Sequence, residues 1–188
     1  MINFQKYFYD FRILFSRQKQ NCLDFVIIGT QKGGTTSLYH YLSQHPQIAK
    51  AKRKEIHYYS KNYNKGINYY KYMLGRVKNG QLCGESTPLY MLDSKSPQLL
   101  KSDFPNVKII VMLRNPVDRA FSHYNMQLKL GIEDRPFDEV CKIEKEIIEN
   151  NNINYNSYHK NAHYSYLRRG MYDLQIKRWL KYFDLKQF

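Results

Sequence analysis

The chain has 188 residues, which is about one domain by length and enough to bury a core around a sheet. Its 30 Lys and Arg against 16 Asp and Glu give a formal net charge of +14, and the resulting positive field favours anionic ligands such as phosphates, sulfated sugars, nucleic acids or acidic membranes. Aromatic residues make up 15% of the sequence, so we expect a folded core and not an intrinsically disordered chain.

The cysteines are an odd number and widely spaced: Cys22, Cys83 and Cys141 include no C-x-x-C pair. This pattern indicates neither a disulfide framework nor a zinc site. The N-terminus lacks the uninterrupted apolar run of a signal peptide, and no N-x-[ST] sequon occurs. We therefore expect a cytoplasmic protein.

Residues 1–22 carry aromatic side chains at helical spacing, with Lys and Arg between them, and this pattern predicts a basic amphipathic helix. A helix of this kind usually packs its aromatic stripe on its own domain, and peripheral contact with a membrane surface is the alternative. We predict two parts, this helix and a domain over residues 23–188. The stripe consists of Phe4, Tyr7, Phe8, Phe11 and Phe15.

Strands and helices alternate along the rest of the chain. The apolar run 24–29 predicts a strand, and a glycine-rich loop and a helix over 35–44 follow it. A second unit begins with a near-continuous apolar strand over 107–113 and continues with a helix from Pro116 to about Leu130. Residues 81–88 predict a short strand that runs into a loop. This order predicts an α/β domain with a mainly parallel sheet.

Further helices are predicted over 97–103, 137–149 and 164–183, with an Asn-rich surface loop over 150–161. Asn115, which precedes a proline, is a suitable N-cap for the helix that begins there. His159 and His163 have i, i+4 spacing but no obvious third ligand, so no metal site is predicted.

The segment Gly-Thr-Gln-Lys-Gly-Gly-Thr-Thr-Ser, residues 29–37, connects the first strand to the first helix. Glycines allow successive backbone N–H groups to face one anion, the helix N-terminus adds its dipole, and Lys32 and three hydroxyls add donors. The segment therefore predicts a phosphate-binding loop. A Walker A loop would place its lysine after the last glycine, whereas Lys32 precedes Gly33 and Gly34, which argues against an ATP-dependent kinase.

Four segments occur in one order along the chain: Lys32–Thr36, Lys54–Tyr59, Gly84–Tyr90 and Leu113–Ser122. Together they resemble the motifs of sulfotransferases that use PAPS (3'-phosphoadenosine 5'-phosphosulfate), in particular the branch of heparan sulfate sulfotransferases and their bacterial relatives. The similarity runs from about Asp24 to Phe183. The resemblance implies a P-loop-like three-layer α/β domain whose mainly parallel central sheet is flanked by helices.

The resemblance also implies PAPS as the donor, PAP as the product and no metal ion. The loop would bind the 5'-phosphosulfate, and Arg114 and Ser122 would bind the 3'-phosphate. From the residues alone, Arg114 could instead form a salt bridge with a nearby acid. The full donor-binding set is Lys32, Gly33, Gly34, Thr35, Thr36, Ser37, Arg114 and Ser122.

For catalysis, the resemblance assigns Glu55 as the general base that deprotonates the acceptor. Lys32 would neutralise charge on the leaving phosphate. His57 could orient Glu55 or contact the acceptor, although a lone histidine is more often structural. A carboxylate that follows Lys52, Arg53 and Lys54 could also be a solvated surface charge. The acceptor would lie beside Ser86, Thr87 and Pro88.

The chain departs from the family at two points. Ser86 stands where a lysine is usual, which puts glucosaminyl heparan in question as the acceptor and leaves Lys32 to act alone. The family also continues past the helix that contains Trp179 with a segment that closes over the nucleotide, and we expect this segment to be missing. Two alternatives therefore stay open: a P-loop kinase-like nucleotide-binding protein, and a catalytically inactive PAP- or anion-binding fragment.

The partners expected from the sequence are an anionic nucleotide donor and a carbohydrate or other acceptor that offers a hydroxyl or an amine. Basic residues alternate with tyrosines over 58–72, a pattern that could stack nucleic-acid bases. No recognised nucleic-acid module accompanies them, so we expect a solvated basic face or a groove for an anionic glycan.

Overall fold

The computed structural model describes residues 23–150 and 165–188, and its centre is a parallel four-stranded sheet. The strand order is β2-β3-β1-β4, and every pairing is parallel. This arrangement confirms the predicted α/β fold class. The strands are β1 (Phe25–Gly29), β2 (Ile48–Ala49), β3 (Leu82–Ser86) and β4 (Lys108–Val111).

Helices connect and flank the strands. The α-helices are α1 (Thr35–Leu42), α2 (Ile67–Leu74), α3 (Ser96–Asp103), α4 (Pro116–Lys129), α5 (Phe137–Glu149) and α6 (Tyr172–Leu180). A π-helical turn covers Tyr58–Asn62, and 3-10 turns cover Tyr63–Lys65, Pro88–Met91, Arg168–Gly170 and Leu185–Gln187. None of the helices in the two described ranges combines the length and apolar composition that a membrane crossing requires.

The central strand β1 organises the hydrophobic core. All five of its residues are buried, because β1 lies between β3 and β4 and its β-branched side chains suit a strand covered on both faces. Trp179 of α6 is fully buried and stacks on Phe183 at a ring-centroid distance of 5.7 Å. Burial of large aromatic side chains of this kind contributes much of the apolar area that stabilises the fold.

The parallel register brings the carboxyl ends of three strands to one edge of the sheet. Ile27 of β1 pairs with Ser86 of β3, and Gly29 pairs with Val111 of β4. The segments that follow β1, β3 and β4 therefore begin side by side. In open α/β sheets, ligands bind at this carboxyl edge.

Four helices, α1, α3, α4 and α5, lie within two residues of their predicted bounds. Helix α5 has the predicted bounds, and α4 begins at Pro116. The Asn115 side chain accepts hydrogen bonds from the N–H groups of Val117 and Asp118 at 3.0 and 3.3 Å, which satisfies two backbone donors that a helix start leaves unpaired.

The long helix predicted over 164–183 is wrong at its N-terminal end, because a 3-10 turn precedes α6. The Glu144 carboxylate accepts hydrogen bonds from the N–H groups of Leu167 and Arg168 at 2.7 and 3.0 Å, which docks this segment on α5. A Cβ at Gly170 would lie 3.0 Å from the Cβ of Pro116, so the chain passes close to the start of α4.

The predictions for residues 1–22, for most of the Asn-rich loop and for His159 and His163 lie outside the described residues. Strand β2 and helix α2 are additions that the sequence pattern did not indicate.

We predict that Gly84→Ala destabilises the fold. Gly84 pairs with Phe25, and a Cβ at Gly84 would lie 2.3 Å from the Phe25 ring. Overpacking of this kind costs about 1–3 kcal/mol of unfolding free energy, which urea denaturation would measure. Combining Gly84→Ala with Phe25→Leu should recover part of that loss, because the ring causes the clash. Equal unfolding midpoints for the wild type and Gly84→Ala would contradict this packing.

Candidate functional site

The loop after β1 is fixed by backbone hydrogen bonds to the end of β4. The Thr30 N–H donates to the Met112 carbonyl at 2.7 Å, and the Gly33 N–H donates to the Thr30 carbonyl at 2.9 Å. A Cβ at Gly33 would lie 2.8 Å from the Met112 carbonyl oxygen, so only glycine allows the loop to pass this close. Lys32 and Gly34 have φ values of 68° and 93°, in the left-handed region.

Helix α1 begins at the end of this loop without a side-chain cap. Gly34 is the N-cap residue and offers no side-chain oxygen to the first-turn N–H groups. Thr36 and Ser37 in that turn are exposed, whereas Thr35 is buried. Unpaired N–H groups and the positive end of the helix dipole suit an anion such as a phosphate. This geometry is compatible with the predicted phosphate-binding loop, and phosphate binding itself stays a prediction.

A cavity beside the loop brings together Lys32, Arg114 and Ser122, three residues predicted to bind the donor. Its volume is about 480 Å³, which lies in the range of small-molecule sites. The Arg114 Nη1 also donates to the Lys32 carbonyl at 3.4 Å, so the arginine links the two segments that border the cavity. Two cationic side chains and a hydroxyl around one cavity fit a nucleotide that carries phosphates at both ends.

Sequence reasoning missed the remaining residues of this cavity. All six lie on α4 or directly after it, and their spacing of three or four residues places them on the helix face that also presents Ser122. That periodicity, extended from Arg114 and Ser122, could have identified them. They are Asp118, Phe121, Asn125, Met126, Lys129 and Leu130.

A second contact fixes Arg114 from the far end of the chain. The Tyr172 hydroxyl, on α6, donates to the Arg114 carbonyl at 2.8 Å. The 3-10 turn before α6 also packs against Pro116. The end of β4 is thereby held between the phosphate-binding loop on one side and α6 on the other.

Glu55 and His57 form a second half of the site, next to the end of β3. The Glu55 N–H donates to the Ser86 carbonyl at 3.0 Å. The Glu55 carboxylate lies 2.6 Å from Lys54 Nζ through one oxygen and 3.3 Å from His57 Nε2 through the other. Glu55 does not line the cavity that contains Lys32 and Arg114. The contact with His57 fits the predicted orienting role, and the contact with Lys54 also fits a carboxylate paired with its basic neighbours.

These contacts determine the charge of Glu55. The hydrogen bond with His57 and the contacts with Lys54 lower the pKa of Glu55 from 4.5 to about 2, although partial burial opposes them. Glu55 is therefore ionised at neutral pH and able to accept a proton. A base with such a low pKa is weak, because general bases work best when their pKa lies near the operating pH.

The residues predicted to lie beside the acceptor are buried. Ser86 and Thr87 are 0% exposed, and Pro88 is also buried in the first turn after β3. The Thr87 N–H donates to the Ile27 carbonyl at 3.1 Å, which continues the β1–β3 ladder. These three residues lie beneath the Glu55–His57 segment, and their contact with an acceptor stays a prediction.

The fold and the loop together define a P-loop-like α/β domain with a candidate anion-binding site at the carboxyl edge of its sheet. Residues 23–188 match the family model described as "Sulfotransferase domain", and the chain belongs to this family. This confirms the resemblance found in the four sequence motifs.

Individual proteins are similar over most of the chain. Human heparan sulfate glucosamine 3-O-sulfotransferase 5 is 33% identical over 165 residues, which are 87% of this chain and 45% of that protein. Human heparan sulfate glucosamine 3-O-sulfotransferase 3B1 is 30% identical over 162 residues, 86% of this chain and 39% of that protein. The chain thus spans less than half the length of these relatives.

The solved structure of a sulfotransferase from Alicyclobacillus acidocaldarius superposes with a TM-score of 0.74 at 30% sequence identity. The match covers 89% of this chain and 71% of that one.

In the part of this chain that the structure describes, no three His, Cys, Asp or Glu side chains come together as a metal-binding group would.

We predict a pH-dependent contribution of Glu55 to stability. Because its pKa is lowered from 4.5 to about 2, the ionised carboxylate stabilises the folded state above about pH 4.5, and this contribution is lost as the pH falls toward 2. The difference in unfolding free energy between the wild type and Glu55→Gln should therefore grow as the pH rises from about 2 to about 4.5 and level off above that value.

Urea denaturation at a series of pH values measures this difference. Glu146→Gln, at an exposed position of α5, is the matched control for the loss of a carboxylate. A flat curve for Glu55→Gln would contradict the contacts with His57 and Lys54.

Proposed function

We propose that this chain is the donor-binding and catalytic part of a sulfotransferase that transfers a sulfuryl group from PAPS to a hydroxyl or amine of a carbohydrate acceptor. The observation that carries the proposal is the cavity that Lys32, Arg114 and Ser122 line beside an uncapped helix N-terminus. Family membership supports the same chemistry. PAPS would supply the activated sulfuryl group.

The residues around the cavity suit the two ends of such a donor. The N–H groups at the start of α1, with Lys32 and the hydroxyls of Thr36 and Ser37, would bind the 5'-phosphosulfate. Arg114 and Ser122 would bind the 3'-phosphate. Phe121 offers an exposed aromatic face at the same cavity, suited to contact with a purine.

Transfer requires one proton acceptor and one group that neutralises charge. Glu55 would take the proton of the acceptor hydroxyl or amine as the acceptor atom bonds to sulfur. Lys32 would neutralise the charge that develops on the phosphate oxygen as its bond to sulfur breaks. His57 would keep the Glu55 carboxylate oriented through its Nε2.

For Glu55 to act as an effective base, binding of the acceptor would also have to raise its pKa. With both oxygens engaged by Lys54 and His57, the carboxylate binds a proton only weakly. An anionic group on the acceptor that engages Lys54 would release one oxygen and raise the pKa of Glu55. The positive charge of the chain favours such an acceptor.

A cytoplasmic location, inferred from the cysteine pattern, is part of this proposal.

Donor binding tests the first half of the proposal. Isothermal titration calorimetry without magnesium should detect binding of PAP, and Arg114→Ala should weaken it by about 10- to 100-fold, because a hydrogen bond to a charged group is lost. Adenosine 5'-phosphosulfate, which lacks the 3'-phosphate, should lose little affinity from the same change.

Arg76→Ala, an exposed arginine outside the cavity, is the control and should bind PAP like the wild type. A variant Arg114→Ala that still strongly prefers the 3'-phosphorylated nucleotide would overturn the assignment of Arg114. Magnesium-dependent binding of ATP with no binding of PAP would favour the kinase-like alternative.

Turnover tests the second half. Glu55→Gln keeps the size of the side chain but removes its ability to take a proton, so transfer from PAPS to a glycan acceptor should fall by roughly 10²- to 10⁴-fold. PAP affinity should change little. Glu146→Gln is again the matched control. Near wild-type turnover in Glu55→Gln would refute the base assignment, and PAP binding without turnover in the wild type would favour the inactive PAP-binding alternative.

A further inference from the structure

A buried glutamate lies at the end of β3, directly beneath the Glu55–His57 segment. Glu85 is 0% exposed, and its carboxylate accepts hydrogen bonds from Tyr70 at 3.1 Å and from Thr87 at 2.7 Å. Burial raises the pKa of Glu85, although the hydroxyl donors partly offset it. Burial of an acid is costly unless its oxygens are hydrogen-bonded, and hydroxyl groups satisfy both oxygens here.

Thr87 connects this glutamate to the candidate catalytic segment. Its Oγ1 donates to Glu85 Oε2 and accepts a hydrogen bond of 3.4 Å from the His57 N–H. A hydroxyl has a single hydrogen to donate. Because Glu85 takes that hydrogen, the oxygen lone pairs of Thr87 are left to face the His57 N–H.

The segment that Thr87 contacts has an unusual backbone. Glu55 and His57 both have positive φ values, 58° and 55°, which residues other than glycine rarely adopt. Such residues persist only where the surrounding structure determines them, and they concentrate at functional sites. Ile56 between them is 0% exposed and anchors the segment.

Hydrogen bonds fix this backbone on several sides. The Glu55 N–H bonds to the Ser86 carbonyl, and the Asn62 side chain donates to the Ile56 and His57 carbonyls at 3.1 and 3.4 Å. The bond from the His57 N–H to Thr87 restrains the residue whose ring contacts the Glu55 carboxylate. Loss of the Thr87 hydroxyl would therefore remove the restraint on the His57 N–H.

We propose that Glu85 and Thr87 are positioning residues, which hold the His57 backbone through the Thr87 hydroxyl and thereby place the His57 ring against the Glu55 carboxylate. This inference rests on the proposed function only for its consequence in turnover. The structural part of the inference, the coupling of Thr87 to Glu55 through His57, does not depend on the proposed function.

The kinetic test compares Thr87→Val, which is similar in shape but lacks the hydroxyl, with Thr87→Ser, which keeps it. Thr87→Val should lower kcat by about 10- to 100-fold, because small misplacements of catalytic groups have effects of this size. The dissociation constant of PAP should change less than about twofold, since the donor site lies on other segments. Thr87→Ser should keep most of the wild-type kcat.

A second variant tests the negative charge of Glu85 separately from the Thr87 hydroxyl. Glu85→Gln keeps an oxygen that can accept the Thr87 hydrogen, so it should fold and lose less kcat than Thr87→Val. Ser96→Ala is the matched control, because Ser96 is 0% exposed and its hydroxyl donates to the Asp93 carboxylate at 2.7 Å and not to the Glu55–His57 segment. This control removes an equivalent buried hydrogen bond and should leave kcat unchanged.

A double-mutant cycle in urea unfolding at pH 7 tests the coupling without any activity. Thr87→Val combined with Glu55→Gln should destabilise less than the sum of the two single changes, because both disturb the same His57–Glu55 contact. Ser96→Ala combined with Glu55→Gln should be additive. If the wild type shows no turnover but the Thr87 cycle is non-additive, the proposed function fails and the positioning role stands.

Three results would overturn the inference. The first is wild-type kcat in Thr87→Val, and the second is equal loss of kcat in Thr87→Val and Thr87→Ser. The third is an additive cycle between Thr87 and Glu55. If Thr87→Val does not fold, the same cycle with Thr87→Ala, which also removes the hydroxyl, decides, and additivity there would overturn the positioning role.

Discussion

The site depends on one backbone hydrogen bond, in which the Thr30 N–H donates to the Met112 carbonyl at 2.7 Å. With the reciprocal bond from the Met112 N–H to the Gly29 carbonyl at 2.8 Å, it joins the loop after β1 to the segment after β4. Lys32 and Arg114, which are 82 residues apart in sequence, therefore border one cavity. The bonds require the loop to pass so close to Met112 that Gly33 can carry no side chain. The parallel register of β1 and β4 places these groups next to each other, so the same strand pairing forms part of the core and positions the site.

Much of the fold could be predicted because its signals are local. The apolar run that forms β1, the N-cap at Asn115 and the periodicity of α5 each lie within a short stretch of sequence. Strand β2 has two residues, too few for any pattern to show. The turn before α6 could not be predicted either. It depends on Glu144 and Pro116, which come from distant parts of the chain and override the helical periodicity there.

The candidate site divides in the same way. The loop between β1 and α1 could be identified as a candidate site because its glycines, lysine and hydroxyls are contiguous, and the resemblance added Arg114, Ser122 and Glu55. The positive φ values at Glu55 and His57, and the buried glutamate beneath them, were not visible in the sequence. The His57 N–H contacts Thr87, which is 30 residues away in sequence, and neither Glu nor His signals a left-handed backbone. Non-local hydrogen bonds thus determine how the predicted residues are oriented.

The most direct test of this account is the position of PAP in a crystal structure of its complex with the chain, because the central claim is that one cavity holds both ends of the donor. The account predicts the 5'-phosphate within hydrogen-bonding distance of the N–H groups at the start of α1 and of Lys32, and the 3'-phosphate between Arg114 and Ser122. A nucleotide bound away from the loop, or with its two phosphates exchanged between these positions, would contradict it.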